Sequence, residues 1–317
     1  MTNTSRPAHI IVVGSANQDY IVRVAVPPGP GETVLAQSLV RQPGGKGANQ
    51  AVAAARLSGN VSFVASVGDD ADGSTLLREL RSEGVDTSNV EIINRGRTGL
   101  ALVSVYDSGE NSITVVPGTN FALTPERVRR TVERLVAEAG SAVAVVQAEV
   151  LPEIIETTLR TAAGSGARCI LNLAPYQPIE TDLLALCDPL VVNEAEASAL
   201  VGWSVHDAGS AARAVEQLRG ASPSVVVTIG PGGACWADET GGGHVPAPDG
   251  VPVVDTTGAG DAFVGALAAQ LARGVSLGDA VEAGVKAGTF AVGSPGAQSS
   301  YPTLMDLDLE LTTREIV

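Results

Sequence analysis

Short runs of apolar, largely β-branched residues recur along this chain, each stopped by a glycine or polar residue and separated by stretches with a helical period. HIIVVGSA (9–16) ends at Gly14 and Ser15, as a strand buried on both faces would. VSFVASVG (61–68) follows, and AVAVVQAE (142–149) runs into Glu149. CILNLAP (169–175) carries Asn172, PLVVN (189–193) stops at Asn193, and SVVVTIG (224–230) leads into PGG at 231–233. Helical periods are expected near 48–57, 73–83, 125–140 and 153–163, then over a segment holding Glu194 and Glu196, and from Ala262 to a stop at Gly274. This alternation predicts an α/β protein with a mostly parallel sheet covered on both faces, whose polar strand ends gather along one ligand edge.

Two stretches break the rhythm. Tyr20 to Val40 and Leu100 to Val116 alternate apolar and polar residues with no helical period, the second around a turn at Ser108 to Asn111. They are expected to pair into a small sheet outside the main one, a lid inserted at about 18–40 and 98–116 of a single 1–317 domain. HVPAPDGVPVVD (244–255) is expected to form a proline-interrupted edge strand. No repeat or low-complexity linker interrupts the chain.

Composition narrows the partners. Of 317 residues, 35 are acidic and 20 basic, a net charge of −15, so the field of the whole molecule repels nucleic acid and anionic membrane. Cys169, Cys187 and Cys235 lack metal spacing and read as reduced core thiols. The first residues lack an apolar signal core and no run approaches a bilayer span, so a soluble, cytoplasmic protein is expected. Lysine occurs only at Lys46 and Lys286, which makes the setting of Lys46 informative.

VDTTGAGDAF (254–263) carries the most pointed chemistry. Gly258 and Gly260 flank Ala259, and a helix begins on that turn with Asp261 at its mouth. Free amides at a helix N-terminus bind anions, and phosphate beside a carboxylate points to phosphoryl transfer. Taken alone, the same turn is better read as a loop ending in an N-cap aspartate. QPGGKGANQA (42–51) places Lys46 among Gly44, Gly45 and Gly47, with the amides of Asn49 and Gln50 in the following first turn. It is no Walker loop, because Gly47 stands where a serine or threonine is required. Asn17 and Asp19 lie just past the first strand, on the ligand edge.

Together, GSANQD (14–19), GGKGANQA (44–51), NLAP (172–175), NEAE (193–196), TIGPGG (228–233), DTTGAGDAF (255–263) and GAQSSYP (296–302) resemble the PfkB family of carbohydrate kinases, and within it the ribokinases, over nearly the whole chain. The resemblance implies a ribokinase-like three-layer α/β sandwich with a nine-stranded sheet and a β-sheet lid that forms a homodimer interface. It implies transfer of phosphate from MgATP to O5 of D-ribose. Asp261 matches the catalytic base, and Gly258, Ala259 and Gly260 match the anion hole. Asn17, Asp19, Gly45, Lys46, Asn49 and Glu149, with Asp261, match the sugar-holding positions. Asn193, Glu196, Thr228, Ile229, Gly230, Pro231, Gly232 and Gly233, with Gly260, match the nucleotide and Mg²⁺ side. Asp255, Thr257, Ala291, Ser294, Gly296 and Ser300 fall where the family places a monovalent cation, usually K⁺. The stretch around Val285, where adenine is expected, matches weakly. Deoxyribose, a nucleoside such as adenosine, or another sugar remains an alternative acceptor. A non-catalytic sensor on the same fold has no need of Asp261, and a Rossmann dehydrogenase lacks its glycine fingerprint after the first strand.

Overall fold

The computed structural model describes residues 7–108 and 111–307. The first apolar run forms β1 (His9–Val13), and the chain then passes straight into β2 (Asn17–Val24), β3 (Ser38–Gly44) and helix α1 (Lys46–Ser58). Next come β4 (Val61–Val64), β5 (Ser66–Gly68), α2 (Ala71–Ser82), β6 (Glu91–Ile93), β7 (Gly99–Tyr106) and β8 (Asn111–Val116). The middle of the chain alternates regularly: α3 (Pro125–Ala139), β9 (Ala142–Gln147), α4 (Pro152–Gly164), β10 (Arg168–Asn172), α5 (Thr181–Leu184), β11 (Leu190–Asn193), α6 (Glu194–Val201) and α7 (Ala208–Leu218). β12 (Val225–Thr228), β13 (Ala234–Ala237), β14 (Gly242–Val245), α8 (Ala259–Ala272) and α9 (Leu277–Ala291) complete it.

The main sheet has the order β14-β13-β12-β11-β10-β9-β1-β4, parallel except for its last two antiparallel strands β13 and β14. Strands β1, β4, β9, β10, β11 and β12 are buried on both faces, as their unbroken apolar character requires, whereas the edge strand β14 is exposed. In β1, Ile10 and Val12 face the core under α1, α8 and α9, while Ile11 and Val13 face the core under α3, α4 and α7. This is the period-two alternation of a strand between two layers. α8 is apolar nearly all round and buried along its length from Asp261 to Ala272, because α1 and α9 flank it and the sheet lies beneath.

A second sheet, ordered β3-β2-β7-β8, stands apart from the first as a lid. β2 pairs antiparallel with β3 and parallel with β7, and β7 pairs antiparallel with β8. The expected small sheet therefore forms; its turn residues 109 and 110 lie outside the described residues. Leu39, Val40, Leu102, Ile113, Val115 and Val116 are exposed on it.

Several expectations need correction. The 61–68 run is two strands, since β5 leaves the main sheet to pair in parallel with β6. The edge strand near 244–255 is confined to β14, because Pro246, Pro248 and Pro252 interrupt the row of backbone donors. The main sheet accordingly has eight strands among the described residues, not nine.

Candidate active site

Parallel pairing places the carboxyl ends of β9, β10, β11 and β12 along one edge, with Gln147 opposite Asn172 and Asn193 opposite Thr228. The start of α8 rises against this edge. Gly258, its N-cap, has φ 78°, a left-handed conformation that glycine tolerates. A Cβ there would lie 2.5 Å from the Tyr301 hydroxyl, so the turn is closed to side chains on that flank. The Ala259 amide reaches back to the Thr256 carbonyl at 3.3 Å, whereas the amides of Gly258, Gly260 and Asp261 have no acceptor among the described residues. The amides free to meet a ligand at this turn are thus those of 258, 260 and 261, with the 259 amide already engaged.

Asp261 is buried, and both of its oxygens are held by α1. Asn49 Nδ2 donates to Oδ2 and Gln50 Nε2 donates to Oδ1, each at 2.9 Å. A carboxylate has about four acceptor positions, so a ligand hydroxyl is still accommodated.

Lys46 opens α1. The preceding Gly45 has φ 86°, and a Cβ on it would collide with the backbone at Ala16 and Asn17, so this loop presses directly on the start of the lid. The ammonium makes no ion pair within 4.0 Å among the described residues. It faces Asp261, Glu149 and Glu196, and Asp261 is the strongest influence raising its pKa, against the opposing effect of burial. Glu149 is tied in place by the Ser15 hydroxyl at 2.6 Å and the Lys46 amide at 2.9 Å, both on Oε2. Asn17 accepts from Asn120 Nδ2 at 2.7 Å, and Asn120 in turn accepts from the Ala16 amide.

Asp19 differs from all of these. Its carboxylate packs against Gly44, its Oδ1 is buried without a hydrogen-bond partner among the described residues, and its pKa is raised to about 7. Burial is the main cause, with Glu149 and then Asp261 adding like-charge repulsion.

On the other side of Lys46, Asn193 and Glu196 form a reciprocal capping box at the start of α6, with both bonds at 2.9 Å. Burial raises the pKa of Glu196 despite the Asn193 amide and Lys46. Thr228 ends β12, and Gly230 to Gly232, including Pro231, make a single tight turn. Ile229 is buried, its amide bonded to the Gly233 carbonyl and its carbonyl to the Gly232 amide, so it shapes that turn from beneath.

The third group is a loop. Asp255 accepts from the Thr257 amide at 2.9 Å and from the Gly296 amide at 2.8 Å. Burial alone would raise its pKa, but these bonds outweigh it and the net shift is downward. The Ala291 carbonyl accepts the Ser294 amide, and Ser300 is buried with its hydroxyl on the Ala297 carbonyl. The donors offered here are a carboxylate and main-chain carbonyls, oxygen ligands of the kind a hard cation takes.

Residues beyond the sequence reading complete the site. Gln147 Nε2 donates to Gln50 Oε1 at 2.7 Å, Gln298 Nε2 donates to Asn49 Oδ1 at 2.9 Å, and Gln50 Nε2 also reaches Asn172 Oδ1 at 2.9 Å. Gln147 ends a buried strand on the ligand edge, the same signal that drew attention to Asn172. Gln298 carries no comparable signal.

Comparison with known proteins gives a consistent set of matches. Residues 7–304 match the pfkB family of carbohydrate kinases. The chain is 36% identical over 295 residues to a ribokinase of Haemophilus influenzae, covering 93% of this chain and 95% of that one. It is 34% identical over 309 residues to a deoxyribokinase of Salmonella typhi, covering 96% and 99%. Among solved structures it is similar to the Arabidopsis thaliana ribokinase complexed with ribose and ATP, with a TM-score of 0.85, 30% identity, and coverage of 97% of this chain and 100% of that one.

Proposed function

The chain belongs to the pfkB family of carbohydrate kinases, and on that premise we propose that it transfers the γ-phosphoryl group of ATP to O5 of D-ribose, giving ribose 5-phosphate and ADP. The observation that carries this reading is Asp261, buried at the head of α8 beside unpaired amides and facing Lys46, with Asp19 and Glu149 close by. Asp19, Glu149, Asn17, Asn49, Lys46 and the Gly45 backbone hold the ring hydroxyls, since carboxylates accept hydrogen bonds and the ammonium and amides donate them. Asp261 takes the O5 proton as the bond from O5 to the γ-phosphorus forms and the bond to the ADP oxygen breaks. The amides of Gly258, Gly260 and Asp261 stabilise charge on the equatorial oxygens.

Asn193, Glu196, Thr228 and the 229–233 turn border the nucleotide. Glu196 gives only Oε2 to its cap, and an oxygen donor of this kind suits Mg²⁺, which when bound neutralises phosphate charge. Asp255 and carbonyls of Thr257, Ala291, Ser294, Gly296 and Ser300 suit K⁺. The exposed apolar side chains of the lid sheet fit a homodimer interface. The whole chain acts as one domain in the cytoplasm; among the described residues no helix is long and apolar enough to cross a membrane.

A deoxyribose acceptor has a specific claim, because a deoxyribokinase relative stands about as near as the ribokinases. ADP release measured with ribose, deoxyribose and adenosine separates the readings. Ribose is expected to give the highest kcat/KM, and background turnover with ribose would reject the assignment.

A further inference from the structure

Asp261 meets two carboxamides whose orientation matters. An ionised carboxylate only accepts hydrogen bonds, so Asn49 and Gln50 must both turn their NH₂ groups toward it. Each carboxamide oxygen then points the other way, into buried surroundings, and needs a donor of its own. Gln298 supplies one to Asn49 Oδ1 and Gln147 supplies the other to Gln50 Oε1. Gln298 and Gln147 are 5% and 0% exposed, so water does not replace either bond readily. The donors come from separate parts of the fold: Gln298 from the loop after α9, Gln147 from the end of β9.

We propose that Gln298 and Gln147 are positioning residues that lock the two carboxamides of α1 with their NH₂ groups on Asp261, through the relays Gln298–Asn49–Asp261 and Gln147–Gln50–Asp261. Without Gln298, Asn49 Oδ1 is left buried and unpaired, and Asn49 relieves this by rotating. Rotation presents an oxygen to Asp261, which repels the carboxylate out of line with its acceptor hydroxyl. Neither glutamine touches Asp261, so both act on catalysis through their neighbours. Gln298 also lies two residues after Gly296, whose amide holds Asp255, so one short segment steadies both the Asp255 loop and the base.

The inference rests on the kinase reading, and its test separates the two. Gln298→Leu in the full chain is expected to lower kcat about tenfold while leaving KM for ATP within about twofold. Gln147→Glu supplies a signature that mere space-filling does not. Its carboxylate cannot donate to Gln50, but its protonated form can, so its kcat relative to wild type should recover as pH falls. A Gln298→Leu variant with wild-type kcat, or a Gln147→Glu profile parallel to wild type, would overturn the relay. Should the wild type phosphorylate none of the sugars, the kinase reading fails on its own and thermal unfolding decides the relay instead. The Tm losses of Gln298→Leu and Asp261→Ala are then expected to be non-additive, and additive losses would overturn it.

Discussion

Asp19 and Asp255 are both carboxylates of the candidate site beside glycine-rich chain, and their surroundings treat them in opposite ways. Asp255 has both oxygens hydrogen-bonded to backbone amides and a pKa held below its ordinary value. Asp19 has a buried oxygen with no partner among the described residues and a pKa raised to about 7. A protein that spent its hydrogen bonds only on stability would leave neither oxygen unmatched. The Asp255 loop is a finished piece of architecture, whereas the setting of Asp19 is left incomplete by one acceptor, which the proposed sugar hydroxyl would fill. Asp261 is held at both oxygens by Asn49 and Gln50, yet has acceptor positions to spare.

The largest effect is expected at Asp261. Asp261→Asn removes the proposed proton acceptor and should lower kcat by about 10²- to 10⁴-fold in steady-state assays. A variant with wild-type turnover would remove Asp261 from the chemistry.

The next effect sharpens the contrast at Asp19. Asp19→Asn should raise KM for the sugar by roughly 10- to 100-fold, the loss of a charged hydrogen bond. In the wild type, sugar KM should fall as pH rises through about 7, as the carboxylate ionises. The same substitution should stabilise the unliganded protein. With the folded pKa raised above its ordinary 3.8, the carboxyl favours folding fully only below that value, and the benefit is lost as pH rises through about 7. Asp19→Asn should therefore raise Tm relative to wild type at pH 8 and not at pH 4, by the equivalent of roughly 1–3 kcal/mol. Equal Tm differences at both pH values would show that Asp19 is not strained by its burial.

Asp255 should behave in the opposite sense. Asp255→Ala leaves the amides of Thr257 and Gly296 without their acceptor and should cost roughly 1–2 kcal/mol by chemical denaturation. Its depressed pKa means that this contribution is present above the ordinary value of 3.8 and fades as pH falls through the lower folded pKa. Activity should also rise when K⁺ is added to an alkali-free assay, and a flat response would leave Asp255 a purely structural acceptor.

The smallest effect on catalysis is expected far from both carboxylates. Ile113→Asp on the exposed lid surface should shift the protein toward monomer in light scattering while changing kcat less than about twofold. An unchanged molar mass would place any interface elsewhere.

Much of the fold was legible because its signals are local. The strand at His9 to Val13 and the ends at Asn172 and Asn193 announce themselves by apolar runs stopped by polar groups, and the lid segments by alternation without a helical period. Legibility failed where a neighbour decides. β5 departs from β4 only because Glu91 to Ile93 offers it a partner, and β14 is short because prolines further along remove donors from the ladder. In the site, the motifs nominated Asp261, Lys46, Asp19 and Glu149 by number, but nothing in those motifs says that Asp19 has an unmatched buried oxygen while both oxygens of Asp255 are hydrogen-bonded.

By itself, then, the sequence determined the alternation of layers, the polar ligand edge, the glycine turn before Asp261 and the kinship with carbohydrate kinases. Only the tertiary structure decided which polar groups are satisfied: Gln298 reaches Asn49 across 249 positions of sequence, and Gln147 reaches Gln50 across 97. The physical reason is range. Backbone period and turn chemistry act over a few residues, while the matching of buried donors with acceptors is settled between elements that meet only after the chain has packed.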